Sequence, residues 1–340
     1  MTFLLSLGSM FPINARLLKA SGVFFGALFT AQSAASEPFA YVVHENETIT
    51  IVDVASHQVV GNVKLAAGSR VINIAASPDG KSIWVSDGRL LGRVSIVDTG
   101  TRKVVRDMDI SIDAGMPGAI AMAPDGENIY VADWESGSVV AFDRVGNRRQ
   151  AVQISDEKRG PCGIAVTPDS KFVYATDCFS DAVVVINAAT SEIATRIVVG
   201  QHTDALAVAP DGAHVYVLVG TPRSLTAIKT ADHRTAAIIA IPDGTLSGIA
   251  IPADGKQALV TDGDASLKVI DLVTKTATAR VGLGKEPIGI AILPDQKFAY
   301  VANSRSDNIS VVDLDKKAVV ATIPVPKGPR QIAISGKSPN

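Results

Sequence analysis

Six turns of one type recur along the chain: Pro78-Asp79-Gly80, Pro124-Asp125-Gly126, Pro168-Asp169-Ser170, Pro210-Asp211-Gly212, Pro252-Ala253-Asp254-Gly255 and Pro294-Asp295-Gln296. Their aspartates lie 46, 44, 42, 43 and 41 residues apart. Proline presets φ for a turn, aspartate bonds back to the turn backbone, and glycine takes the positive φ that closes a hairpin. A period in the forties with several short β segments per unit marks a propeller, whose blades bury their faces only against one another.

Each unit follows one order. A first strand such as Gly289-Ile290-Ala291-Ile292 enters the turn, and a second, such as Phe298-Ala299-Tyr300-Val301-Ala302, leaves it and ends on Asp or Asn. After a variable loop comes a third β-branched segment, at 49–52, 94–97, 139–142, 183–186, 267–270 and 309–312. Most of these run into an Asp or Asn (Asp53, Asp98, Asp143, Asn187, Asp271, Asp313) that starts a turn to a fourth strand such as 318–323. Alternation and β-branched enrichment argue for strands throughout, and no helical periodicity follows the first 35 residues.

The two ends set the blade count. Residues 40–65 hold a second, third and fourth strand without a first, while 330–336 form a lone first strand with nothing after it. Joined, they complete blade 1 and remove the unpaired edges between the ends. The expected fold is therefore all-β, a seven-bladed β-propeller of four-stranded antiparallel blades closed by the C-terminal strand. Residues 36–340 then form a single domain. The fifth unit departs most: Val219 stands where others end on Asp or Asn, and Lys229 follows its third strand. Pro242-Asp243-Gly244 is out of phase and reads as a loop.

Residues 1–35 contain no Asp or Glu, and Arg16 and Lys19 precede the apolar run 22–29 and the small residues up to Ala35. This is the layout of a cleaved secretory signal, with an apolar core too short to span a bilayer comfortably. Cleavage removes two cations and takes the formal charge from −2 to −4. Such a chain offers no basic field for nucleic acid or anionic lipid. A monomeric periplasmic or secreted protein is expected, without membrane insertion after cleavage.

The repeats resemble the YVTN family of β-propellers over residues 38–336. The family's Tyr-Val-Thr-Asn strand end has counterparts in Tyr300-Val301-Ala302-Asn303, Tyr130-Val131-Ala132-Asp133 and Trp84-Val85-Ser86-Asp87. The resemblance implies the fold. For function it implies only the range of related propellers: exported proteins of unknown role, lactonases, dehydrogenase subunits and binding scaffolds.

Residues that define a repeat are structural, so function is sought where the units differ, at the channel mouth opposite the Pro-Asp turns. The second-strand ends give a ring of His44, Asp87, Asp133, Asp177, Val219, Asp262 and Asn303. Asp87, Asp133, Asp177 and Asp262 are candidate hard-oxygen ligands for a divalent cation. The competing reading is that each satisfies its own loop backbone. Two residues before the conserved-pattern aliphatic of each first strand lie Ile72, Gly118, Cys162, Asp204, Ser247, Ile288 and Arg330, which differ from unit to unit. Arg330 and Asp204, with His202 and Ser247, suit a small carboxylate or phosphate ligand. Trp134, Phe179 and Arg305, in loops after second strands, are candidate partner contacts; Arg89 lies in another such loop.

Cys162 and Cys178 flank one hairpin, and folding it about Pro168-Asp169 brings them across neighbouring strands at about 4.5–5.5 Å between Cα atoms, within disulfide range. No Gly-x-Ser-x-Gly, His-Glu-x-x-His, haem or Walker motif occurs. His57, His214 and His233 fall in turns away from the mouth. The reading is a non-catalytic exported propeller that binds a small molecule or protein at the loop face, needing no cofactor unless a divalent cation sits at the aspartates. The alternatives are a lactonase-like hydrolase using Asp204, Asp133, Asp177, Asp262, His44, His202 and Arg330, and an accessory subunit of a periplasmic redox complex.

Overall fold

The computed structural model describes residues 38–88, 92–110, 115–155, 160–241 and 243–335. The expected signal segment, Arg89 and the last residue of the expected closing strand, Gly336, lie outside them. The described residues form seven four-stranded antiparallel sheets arranged as a propeller. No helix among them is long and apolar enough to cross a membrane.

Blade 1 pairs the C-terminal strand Pro329–Ser335 with Phe39–His44, which continues into Thr48–Asp53 and Gln58–Lys64. Blades 2 to 7 follow in order over 71–109, 117–153, 161–198, 201–240, 246–282 and 287–324. Successive inner strands contact one another around the ring, the closing strand touching those of blades 2 and 7. Blade 5, whose sequence departs most from the repeat, keeps all four strands.

Burial explains the residue choice in each strand. Second strands such as Phe298–Asn303 are buried at nearly every position, because each blade packs face to face between two neighbours. Their sequences are accordingly apolar on both faces rather than alternating, as expected for doubly covered strands. Fourth strands such as Glu192–Val198 form the outer edge, mostly exposed, with Ile197 pointing inward.

Two irregularities recur in all seven blades. The ladder slips between third and fourth strands, as at Ile51/Val52 and Val311/Val312. It slips again between first and second strands, as at Pro161/Ile164 and Thr203/Leu206. Such bulges re-aim side chains that a regular ladder would hold in register. Each variable inner-strand residue, from Ile72 round to Arg330, falls inside one of these second bulges. At Gly163 the next blade approaches so closely that a Cβ would collide with the Asp204 carbonyl oxygen.

The turn face carries a joint between blades that is absent from the sequence reading. His57 and His233 occupy the turns after third strands with φ of 56° and 57°. Each imidazole bonds a tyrosine of the preceding blade: His57 Nδ1 to Tyr300 Oη at 2.6 Å, and His233 Nδ1 to Tyr174 Oη at 2.7 Å. Both rings also stand edge-on to the phenylalanine two residues before that tyrosine, Phe298 and Phe172. Arg102, at the same turn position in blade 2, lies 5.2 Å from the ring centre of Phe39. The signal was the Phe-x-Tyr spacing at 39–41, 172–174 and 298–300, paired with a basic or imidazole side chain one blade later.

Candidate functional site

All seven variable bulge residues line one central cavity of about 590 Å³. Asp204, Ser247 and Arg330 are thus brought together as the variation implied, and Trp134 reaches the same cavity. Arg330 is already paired, its guanidinium 3.5 Å from Glu45 Oε1. Asp204 is exposed to the cavity, but the surrounding inner strands displace water and push its carboxyl above the usual carboxylate range, opposed by nearby His202.

A second pocket of about 270 Å³ adjoins the first at Asp204 and is lined by His202, Arg223, Gly244 and Thr245. Blade 5 creates it by shortening its mouth. Its second strand, His214–Thr221, runs past the point where other blades turn, and pairs Gly220 with Arg223 in a tight hairpin. Gly244, Thr245 and Leu246 complete the lining, Gly244 being the last residue of the segment that is out of phase in the sequence. Gly244 has φ of 86°, and a Cβ there would collide with the Asp262 carboxylate.

The four ring aspartates are buried and lie apart, one per blade. Asp87, Asp133 and Asp262 accept the backbone N–H of Arg70, Met116 and Thr245 at 2.8, 2.9 and 2.8 Å, tying down the segment that enters each first strand. Asp177 accepts the Phe179 N–H at 3.3 Å and the Ser180 hydroxyl at 2.6 Å. Asp133 keeps one carboxylate oxygen, Oδ2, without a hydrogen-bond partner. Asp262 instead meets the buried Lys268, Nζ to Oδ2 at 2.8 Å, and the same ammonium bonds the Asp243 carbonyl oxygen. Sequence reasoning missed Lys268. Its signal was a single charge within the third-strand run Leu267-Lys268-Val269, at the position held by Thr50, Ser95, Val140, Val184, Thr226 and Ser310 elsewhere.

His44 fills the aspartate position of blade 1 and is fully buried, Nε2 lying 2.8 Å from Thr50 Oγ1. Burial lowers its pKa from 6.5 to about 4, with the Pro326 carbonyl and Asp307 opposing in part. Asn303, its counterpart in blade 7, donates to Asn308 Oδ1 and Ser310 Oγ.

Trp134 and Phe179 meet across blades 3 and 4, ring centres 6.1 Å apart, with Phe179 47% exposed. Arg305 is exposed and pairs with Glu286 on blade 7. Cys162 and Cys178 form a disulfide with Cα atoms 6.2 Å apart. The spacing exceeds that of directly opposed residues because the pair is diagonal: Pro161 faces Asp177, and the bulge then displaces Cys162. Among the described residues, Cys162, Cys178 and Asp204 form the one set of three His, Cys, Asp or Glu ligand atoms within 4.8 Å of one another.

A model of the LVIVD repeat matches residues 30–58, which include the second and third strands of blade 1. None of the curated proteins matches. Among solved structures, the chain is similar to the Kuenenia stuttgartiensis hydrazine synthase, with a TM-score of 0.72 and 22% identity over 79% of this chain and 90% of that one. It is also similar to a functionally unknown protein from Desulfotomaculum acetoxidans, at 0.75 and 14% over 88% and 99%. A chain of the mitotic checkpoint complex matches at 0.69 and 16% over 78% and 81%. At these identities the likeness is one of fold, and the chain is a repeat β-propeller.

Proposed function

We propose that this propeller is an exported binding protein that takes a small polar ligand at the mouth of its channel without transforming it. The observation that carries the reading is the convergence of Asp204, Ser247 and Arg330 on one cavity of about 590 Å³, within the size range of ligand sites. The smaller His202–Arg223–Thr245 pocket opens from Asp204 and supplies a second set of polar contacts. The ligand best matched carries a hydrogen-bond donor or cationic group for Asp204 beside an acidic or hydroxyl group for the basic side chains. This reading needs no cofactor. The aspartates offer a divalent cation little, because most of their oxygens are taken by loop N–H groups, a hydroxyl or Lys268.

The disulfide and the signal-like first 35 residues support a periplasmic or secreted location. The YVTN assignment rests on the strand ends quoted above and belongs to the same proposal, as does the monomeric state. A protein partner is a second reading, favoured by the exposed Phe179 whose ring is tilted against Trp134; such rigid aromatics are frequent interface anchors. It would suit an accessory role in a redox complex.

A thermal-shift screen of organic acids, amines, lactones and divalent cations tests the proposal. Ligand at a hundredfold above its Kd stabilises the native state by about 2.7 kcal/mol. The shift should vanish in Asp204→Ala or Arg330→Ala. A ligand whose shift survives both substitutions removes the site from the mouth, and lactone turnover abolished by Asp204→Ala replaces binding with hydrolysis. Co-purification with a partner that is lost in Phe179→Ala decides for the second reading.

A further inference from the structure

One corner of the channel combines features found in no other blade. At the bulge position the other six carry Ile72, Gly118, Asp204, Ser247, Ile288 and Arg330, so blade 4 alone has a cysteine there, Cys162. Its partner Cys178 follows the second strand, and Cys178 Sγ lies 2.9 Å from the Thr203 carbonyl oxygen of blade 5. Thr203 stands between His202 and Asp204, so the disulfide is pressed against the segment that carries both polar residues. Sγ of Cys162, Sγ of Cys178 and a carboxylate oxygen of Asp204 all lie within 4.8 Å of one another. Both cysteines are half-buried, Cys162 lining the central cavity, and Asp204 is exposed to it.

We propose that reduction of the Cys162–Cys178 disulfide turns this corner into a zinc site, with both sulfurs and the Asp204 carboxylate as ligands and the fourth position open to the central cavity that Cys162 and Asp204 line. Zinc bonds thiolate sulfur at about 2.3 Å and carboxylate oxygen at about 2.0–2.2 Å, so the edges of such a tetrahedron are roughly 3.5–3.8 Å. The three ligand atoms lie within 4.8 Å of one another, so forming that tetrahedron needs the sulfurs to separate from bonding distance and the Asp204 carboxylate to adjust by about an ångström at most. Two thiolates with one carboxylate favour zinc over the hard cations calcium and magnesium. The chemistry closes with a dithiol reductant. Its two thiols form their own disulfide while the Cys162–Cys178 bond takes up two electrons and two protons. Zn²⁺ then displaces the two thiol protons into solvent. The formal charge of the corner, set beforehand by Asp204 alone, is unchanged once two thiolates and Zn²⁺ are added.

The test uses the chain lacking residues 1–35, oxidised or reduced with a phosphine, exposed to Zn²⁺ and freed of excess metal. The reduced chain should retain one zinc per molecule and the oxidised chain none. Asp204→Ala should weaken retention at least tenfold, a loss typical of impaired metal sites. Cobalt in place of zinc should give thiolate charge-transfer absorption and the visible bands of a tetrahedral ion, with the far-ultraviolet circular dichroism of the oxidised fold preserved. Equal retention by Asp204→Ala means that the thiols bind metal alone and overturns the site. So does reduction that unfolds the chain, or a reduced chain that binds no more zinc than the oxidised one.

Discussion

The two faces of the ring treat the same repeat in opposite ways. On the turn face, corresponding residues of blades 1 and 5 make corresponding contacts: His57 to Tyr300 and His233 to Tyr174, at 2.6 and 2.7 Å, with Arg102 taking the same turn position in blade 2. On the loop face, corresponding positions have diverged. The strand-end residue is a lysine-paired carboxylate in blade 6, a carboxylate with one unpartnered oxygen in blade 3 and a buried imidazole in blade 1. A joint between blades, where one forms, depends on two blades agreeing on it. A loop-face residue answers to its own blade and to whatever enters the channel.

The largest expected effect lies on the loop face. Lys268→Met strands the Asp262 carboxylate in a dry site and should cost about 3–5 kcal/mol, read from denaturant unfolding. Adding Asp262→Leu to that variant should recover much of the loss, since an apolar pair of similar volume replaces a buried ion pair with little penalty. If Lys268→Met costs no more than an exposed substitution, the contrast between blades 6 and 3 fails.

Replacing both cysteines by serine should cost roughly 3 kcal/mol, the chain-entropy value for a loop of about this length, whose ends are 16 residues apart. The channel-mouth residues of blades 4 and 5 should become more open to hydrogen exchange before the turn face does.

His44 supplies the acid limb. Burial favours its neutral form, so the unfolded chain takes up the proton first as pH falls. Its stabilising contribution is whole above pH 6.5 and is lost between there and about 4. The loss amounts to about 3 kcal/mol at 1.36 kcal/mol per unit. His44→Asn, which borrows the blade 7 solution, should flatten that part of the stability–pH curve. An unchanged curve would show that the strand-end imidazole is not what acid attacks.

The smallest effects belong to the turn face. Tyr300→Phe and Tyr174→Phe each remove one hydroxyl from a histidine joint and should cost about 1 kcal/mol by thermal or denaturant unfolding. The two values should agree within a few tenths of a kcal/mol if the joint is a repeated device. A large disparity would mean that the faces differ less than their contacts suggest.

Six Pro-Asp turns at near-constant spacing, a first unit lacking its inner strand and a final strand lacking its unit were enough to determine a closed seven-bladed ring, because turn chemistry and closure are local and countable. The bulge positions were also legible, since Asp204, Ser247 and Arg330 break a pattern that their neighbours keep. Tertiary structure alone decided what those residues meet. One ladder slip per blade, between first and second strands, turns them into the channel, blade 5 opens a pocket by running its hairpin past the usual turning point, and Lys268 reaches Asp262 across paired strands. The ring aspartates stay with their own loops because each is held by an N–H of its own blade. The hairpin of residues 161–178 joins both kinds of information: its turn is plain in the sequence, while the contact of its disulfide with His202-Thr203-Asp204 exists only because two blades pack face to face. Sequence encodes a repeat through short-range geometry; contacts between repeats depend on register and approach distance, which one blade's sequence does not carry.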